Sequence, residues 1–255
     1  MVKIFLNGCC GRMGKVIVNL CNQSDDYEIV AGGDIVSNPD YKFPVYSNLS
    51  ECNEVFDVII DFSNAKAVPA VLDFALARKK PFICCTTALS EETLASLDKA
   101  SSEIAVFRSA NMSIGINLMI ELAKKATKIL YPEFDIEIVE AHHNRKLDAP
   151  SGTAMMIADA IKQEMPDEAE YVYDRHSVNK ARSKNEIGIS SIRGGNIVGE
   201  HEAMFISDEE IVSISHSAQT RDVFAKGALR AAKFMSAKQS GYYNMSDIIA
   251  EYTGE

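Results

Sequence analysis

The 255-residue sequence contains no apolar run approaching the roughly 20 residues that a membrane-spanning helix needs. At its start, the short stretch VKIFL gives way to a polar, glycine-containing loop, too brief for the core of a signal peptide. Positive charge is scarce as well. Asp and Glu number 36 against 26 Lys and Arg, a formal charge of −10, and so acidic a chain is unsuited to neutralising nucleic-acid phosphates. An anionic small molecule is still admissible where positive groups are concentrated locally. There is no C-x-x-C. The six cysteines, Cys9, Cys10, Cys21, Cys52, Cys84 and Cys85, include two adjacent pairs and lack zinc-site spacing. They are expected to be reduced, mostly buried small hydrophobes. Repeats and low-complexity tracts are absent. The expectation is a cytoplasmic protein with neither membrane nor nucleic acid as partner.

What is present is ordinary soluble composition, 47% hydrophobic and 24% charged, over a length that suits one large α/β domain or two modest ones. VKIFL reads as a buried strand, MGKVIVNLCNQ as a helix and YEIVAGGD as a second strand ending in an acid. After a polar loop around residues 36 to 48 come FDVIIDFS (strand), Lys66 to Lys79 (helix), PFICCTT (strand), a helix capped by Ser90, and EIAVFRS (strand). Strands alternating with helices of ten or more residues imply parallel βαβ units. Beyond residue 112 the regular alternation stops. IGINLMIELAKKATKIL is a long amphipathic helix, and FDIEIVEAHH, EIGISSIR, IVGEHEAMFIS and EEIVSISHSAQ suggest an antiparallel or mixed sheet. One helix, Ser151 to Gln163, lies between the first two of these strands. The last helix, RDVFAKGALRAAKFMSA, has a small-residue face suited to covering the first domain.

Gly8-Cys9-Cys10-Gly11-Arg12-Met13-Gly14 sits where a strand turns into a helix. Glycines there permit a tight turn and close backbone approach, so that a pyrophosphate can rest on the helix N-terminus. The spacing is G-x-x-G-x-x-G rather than G-x-G-x-x-G, and a plain connecting turn is the competing reading. Asp34, 20 residues after Gly14, stands near the place of an acid that hydrogen-bonds adenosine ribose hydroxyls; otherwise it is a solvated turn acid. Arg12 either supplements the helix terminus or faces solvent. A 2′-phosphate would be repelled by Asp34 and gains nothing from the apolar Ile35, so NADH is expected over NADPH. Phe62 to Asn64, Cys85 to Ala88 and Ser109 to Met112 close later strands at the same sheet edge, where α/β ligands gather.

Glu140 to Ala154, EAHHNRKLDAPSGTA, packs histidines, charges and a capping turn together. Period two sends Glu140 and His142 to one face of a strand and His143 to the other, so the histidines have different surroundings. H-H-x-x-K is not H-E-x-x-H, and no metal is expected. Arg145 and Lys146 add positive charge, while Ser151 or Thr153 caps a helix whose free N–H groups suit a carboxylate. Each residue alone is also readable as an ordinary cap or surface charge. Arg145 and Asp148 are expected at the surface.

Together, E-A-H-H-x-x-K-x-D-A-P-S-G-T-A, G-x-x-G-R-M-G, V-G-E-H and R-x-x-F-A-x-G-A resemble the 4-hydroxy-tetrahydrodipicolinate reductase (dihydrodipicolinate reductase) family of lysine and diaminopimelate synthesis. The resemblance runs from Gly8 to Ala228. It implies an α/β fold with a Rossmann-like dinucleotide-binding domain, residues 1–112 and 222–255. Within it lies an α+β domain, residues 113–221, for substrate binding and homotetramer formation. It further implies hydride transfer from NAD(P)H to a cyclic imine-enamine dicarboxylate. By motif, His142 is the proton donor/acceptor and Lys146 the second proton donor, while His143, Gly152 and Thr153 bind a substrate carboxylate. Cofactor contacts are implied for Gly8, Cys9, Cys10, Gly11, Arg12, Met13, Asp34, Cys85, Thr86, Thr87, Ser109, Ala110, Asn111 and Met112, with Phe62, Arg221 and Phe224 as further positions.

The chain departs from the family in places. The usual G-T-T-G is Cys85-Thr86-Thr87-Ala88, which puts side chains into a loop expected to need glycine. A-x-N-F has become Ala110-Asn111-Met112 behind Ser109. Ile35 and Asn64 stand where basic residues occur, and both favour NADH. Two other functions fit parts of the pattern. Another two-domain dehydrogenase of an aspartate-type substrate would share the nucleotide half but not A-P-S-G-T. A non-catalytic dinucleotide sensor would keep the glycines and Asp34 but has no use for His142 and Lys146.

Overall fold

The computed structural model describes residues 1–254. In chain order the elements are β1 (Val2–Asn7), α1 (Arg12–Cys21), β2 (Tyr27–Gly33), β3 (Val45–Tyr46), β4 (Val58–Asp61), α2 (Val68–Arg78), β5 (Phe82–Cys84), α3 (Glu91–Ala100) and β6 (Ala105–Arg108). Then come α4 (Ile114–Leu130), β7 (Asp135–His142), α5 (Gly152–Glu164), β8 (Glu170–Val172), β9 (Glu186–Arg193), β10 (Gly199–Ile206) and β11 (Ile211–Ala218). The chain closes with α6 (Asp222–Met235), β12 (Gly241–Tyr243) and α7 (Met245–Thr253). Two compact units result: Met1–Ser113 with the segment from Asp222 onward, and Ile114–Arg221. Among the described residues no helix is long and apolar enough to cross a membrane.

In the first unit all seven strands run parallel, in the order β12-β6-β5-β4-β1-β2-β3. The short apolar strands suit a sheet buried on both faces; β4, for example, is buried at all four positions. One face packs Phe5 and Phe56 against Phe74 of α2, with ring centroids 5.0 to 5.8 Å apart. Each such buried ring contributes about 2 kcal/mol of hydrophobic stabilisation. α6 packs against α1, β4 and β5, so the helix expected to return to the first unit does so, and α3 starts at the Ser90 cap, whose side chain accepts from Thr93 N–H. The loop expected around residues 36 to 48 contains β3, and β12 and α7 carried no clear periodicity.

The second unit holds a mixed five-stranded sheet, β11-β10-β7-β9-β8. β7 and β9 pair in parallel because α5 crosses between them, whereas β10 and β11, joined by a short turn, are antiparallel. α4 and α5 cover one face, where Ile157 and Ile161 of α5 pack with Ile136, Ile138, Ile187 and Phe205 of the sheet, all essentially inaccessible. This crossover delivers the end of β7 and the start of α5 to the same edge of the sheet.

Candidate active site

The glycine loop of the first unit is built by backbone proximity. Gly8 adopts φ +76°, and a Cβ there would lie 2.5 Å from Phe62 O; a Cβ on Gly14 would lie 2.6 Å from Cys9 O. These two positions therefore exclude side chains whether or not a ligand is bound. Gly11 caps α1 without a side-chain hydrogen bond, and the first turn holds no acid. The leading N–H groups of α1, at Arg12 and Met13, are thus available to an anion. Asp34 ends β2 and turns back on the loop, with Oδ2 accepting from Cys10 N at 2.9 Å and Oδ1 from Val36 N at 3.4 Å. Ile35 is 93% exposed beside it. Bare helix terminus, tight glycines and adjacent acid fit a dinucleotide.

Cys9, Cys10 and Asp34 also bring donor atoms within 4.8 Å of one another, a convergence of metal-capable groups that ligand spacing in the sequence did not signal. Burial pushes the Cys9 thiol well up, and Cys9 is inaccessible to solvent, so at neutral pH it is a protonated packing group. Tyr41 OH donates to Cys9 O at 2.8 Å and pins the loop from outside.

Asp61 was not singled out by motif, yet it organises the carboxyl edge of this sheet. It is fully buried and accepts from Asn7 Nδ2 at 2.7 Å, Ser63 Oγ at 2.6 Å and Thr86 Oγ1 at 2.6 Å. The ends of β1, β4 and β5 are thereby tied to one carboxylate. An acid closing the apolar run VIID was the available signal. Cys85 is buried, and burial pushes its thiol well up, whereas Thr87 and Ala88 are exposed. Ala88 sits at φ +57°, so the position where glycine is usual keeps a left-handed backbone that alanine tolerates poorly. Ser109 Oγ donates to Asn111 O at 2.8 Å, and Asn111 Oδ1 accepts from Ser113 N at 2.8 Å. Asn111 and Met112 are buried and Ala110 is exposed. A Cβ on Gly227 of α6 would collide with the Met112 carbonyl, which fixes this loop against the helix.

In the second unit the alternation of β7 places Glu140 and His142 side by side. Glu140 is fully buried. Burial alone would raise its pKa, but hydrogen bonds from Arg193, Ser191 and His142 hold it at about 2. An ionised carboxylate only accepts, so His142 Nδ1–H donates to Glu140 Oε2, at 2.5 Å. Arg193, at the end of β9, grips the same carboxylate with both terminal nitrogens at 2.9 and 2.7 Å. Ser151 N donates to Glu140 Oε1 at 3.1 Å. Neither Glu140 nor Arg193 was among the expected site residues.

Ser151 is the cap of α5, its Oγ accepting from Ala154 N at 3.1 Å. Gly152 is exposed with open space around it, and Thr153 is half-buried, so the first turn faces outward. Lys146 Nζ pairs with Asp148 Oδ2 at 2.9 Å. Asp148 is exposed as expected, but it has more to do than solvate the surface: its carbonyl also accepts from Arg193 Nη2 at 2.6 Å. Arg145 is exposed and donates to Asn196 Oδ1 at 3.0 Å. His143 is half-buried with Nδ1 unpartnered; burial first, then the charges of Arg145 and Arg221, lower its pKa. His201 of β10, absent from the expected set, stands edge-on to His142 with ring centroids 5.2 Å apart, and its Nε2 lies 3.2 Å from Ser151 Oγ.

The chain matches the family models described as "Dihydrodipicolinate reductase, N-terminus" over residues 2–112 and "Dihydrodipicolinate reductase, C-terminus" over residues 115–249. It is 52% identical over 249 residues to the 4-hydroxy-tetrahydrodipicolinate reductase of Caldanaerobacter subterraneus subsp. tengcongensis, covering 98% of each chain. It is 46% identical over 251 residues to that of Clostridium perfringens, again covering 98% of each. Among solved structures it is similar to a dipicolinate-bound dihydrodipicolinate reductase from Paenisporosarcina sp. TG-14, with TM-score 0.81, 23% identity, and coverage of 97% of this chain and 99% of the other. The chain belongs to the dihydrodipicolinate reductase family.

Proposed function

We propose that the chain reduces the cyclic imine-enamine dicarboxylate formed from 4-hydroxy-tetrahydrodipicolinate, using NADH in preference to NADPH, with His142 as the group that moves the proton. As a member of its family it is a pyridine-nucleotide-dependent oxidoreductase of lysine and diaminopimelate biosynthesis. The observation that carries the residue assignment is the buried Glu140–His142 pair beside the open first turn of α5. When bound, NADH supplies the hydride, delivered to C4 of the substrate. Protonation at C3 then needs a donor poised near working pH, and histidine starts closest to it. Lys146 is the second proton donor and offsets the charge of the dianion. The N–H groups of Gly152 and Thr153, with His143, receive a carboxylate.

In the first unit we assign cofactor contact to Gly8 through Met13, Asp34, Cys85 through Thr87 and Ser109 through Met112. The loop N–H groups and the α1 terminus take the pyrophosphate, and Asp34 takes the ribose hydroxyls. The preference for NADH is supported by Asp34 and the exposed Ile35, which offer a 2′-phosphate repulsion and no positive partner. The first unit is accordingly the dinucleotide domain, and the second binds substrate and forms a homotetramer in the cytoplasm. The test is reduction of freshly generated 4-hydroxy-tetrahydrodipicolinate with each nucleotide. Turnover with a lower KM for NADH is expected; no nucleotide oxidation with this substrate would reject the assignment.

A further inference from the structure

His142 is held by a carboxylate that also holds Arg193 and the start of α5. Glu140 Oε2 receives His142 Nδ1 and Arg193 Nη1, while Oε1 receives Arg193 Nη2 and Ser151 N. Through Arg193 the same unit reaches the carbonyl of Asp148, whose carboxylate holds Lys146. Glu140 and Arg193 are 53 residues apart and meet only because β7 and β9 pair in parallel. We propose that Glu140, clamped by Arg193, is the positioning residue of the reduction: it fixes His142 as the Nδ1–H tautomer and leaves Nε2 as the nitrogen that carries the transferred proton. This rests on the assignment of His142 to proton transfer.

Three features converge on it. The first is valence. With Arg193 and Ser151 N–H also directed at it, the Glu140 carboxylate has no donor to offer, so His142 Nδ1 must be the donor. The second is access. A Cβ on Gly199 of β10 would lie 3.1 Å from His142 Nε2, so the residue facing that nitrogen is one without a side chain to cover it. The third is charge. The charged and titratable groups around His142 are Glu140 on its own strand with Arg193 from β9 bound to it, His201 from β10 and the adjacent His143. Glu140 is the only anion among them. Its charge is aimed at His142 Nδ1, and Arg193 holds the same carboxylate in place.

The protonation step balances simply. After hydride addition the Nε2–H proton passes to C3, leaving neutral imidazole with Nδ1–H still donated to Glu140; solvent restores the Nε2 proton. Glu140 keeps its charge throughout. Arg193 holds it in place from the end of β9.

Glu140→Gln separates this role from simple scaffolding. The amide has the same size and can still accept from Arg193, but its NH2 competes with Nδ1–H and favours the other tautomer. We expect kcat to fall by about 10²- to 10³-fold, as for other misoriented histidine pairs, with KM for the dicarboxylate changed less than about threefold and NADH affinity unchanged. The histidine limb of the kcat profile moves to lower pH, and Glu140→Asp recovers part of the rate. Should Glu140→Gln fail to fold, long-range imidazole ¹⁵N spectra of the unaltered protein give the same answer, with Nδ1 protonated and Nε2 bare in the neutral His142 ring. An unchanged kcat and profile in Glu140→Gln, or an Nε2–H tautomer in the unaltered protein, would overturn the proposal. His142→Ala runs alongside. Slow turnover there with normal turnover in Glu140→Gln sinks the positioning role alone, and normal turnover in His142→Ala removes His142 from proton transfer and the proposal with it.

Discussion

Replacing Ser151 with alanine removes two hydrogen bonds made by one atom that is almost wholly inaccessible. Ser151 is 1% exposed; its Oγ accepts from Ala154 N at 3.1 Å and lies 3.2 Å from His201 Nε2. His201 is neutral at working pH, because burial first and the neighbouring His142 second push its pKa down to about 4. The hydroxyl therefore bonds the neutral ring at Nε2 while accepting from the helix. Loss of the cap costs about 1 kcal/mol. Leaving His201 Nε2 buried and unpaired costs about 2 kcal/mol more. The sum, about 3 kcal/mol, corresponds to a fall in Tm of roughly 9 °C for a chain of this size. Urea and thermal unfolding followed by circular dichroism measure it directly, with Ser151→Thr, which keeps a hydroxyl, as the control. Since the same turn presents Gly152 and Thr153, KM for the dicarboxylate should rise as well. A Ser151→Ala protein within about 0.5 kcal/mol of the parent, the usual range for surface changes, would refute the dual bonding of this hydroxyl.

Other outcomes follow from the same geometry. Ala88→Gly relieves the left-handed backbone at φ +57° and should stabilise the protein by roughly 0.5–1 kcal/mol after the glycine's greater unfolded freedom is deducted, which denaturant unfolding will show. Acid unfolding should proceed through two windows. His201, ordinarily at 6.5 and held at about 4 when folded, takes its proton later in the folded state, so its contribution of about 3 kcal/mol fades as pH falls from 6.5 to 4. Glu140, ordinarily at 4.5 and held at about 2, contributes a similar amount, about 3 kcal/mol, above pH 4.5 and loses it as pH falls through 2. His201→Gln should shrink the upper window, to which His143 and His216 also contribute, and leave the lower one, and urea titrations at successive pH values separate the two. Ile35→Arg places a cation at an open position beside Asp34 and should lower KM for NADPH about tenfold, the equivalent of one charge-assisted hydrogen bond of about 1.5 kcal/mol; an unchanged NADPH KM would place the 2′-hydroxyl elsewhere.

Local signals carried far into the fold. The glycine turn between VKIFL and its helix, the Ser90 cap, the long helix at Ile114–Leu130 and the alternation that puts Glu140 with His142 are all written in consecutive residues, and each formed as its pattern implies. β3, β8 and β12 have two or three residues each, too few for a period to show, and they exist because a neighbouring strand offers an edge. The parallel pairing of β7 with β9 was equally hidden, since a strand's own pattern reports which face is buried and not which strand lies beside it. That is why Glu140 could be placed beside His142 from sequence while Arg193, which grips it, could not. Asp61 shows the same limit: an acid at a strand end was visible and Ser63 lies two residues on, but its partners Asn7 and Thr86 come from two other strand ends that only the sheet brings together.

Steady-state turnover of freshly generated 4-hydroxy-tetrahydrodipicolinate by NADH, compared between the unaltered chain and His142→Ala with NADH affinity measured separately, goes most directly to the central assignment. A fall in kcat of about 10²- to 10⁴-fold with NADH binding intact is expected when a positioned proton donor is removed. An unaltered chain that leaves NADH unoxidised with this substrate, or a His142→Ala chain that turns over at the parental rate, would contradict it.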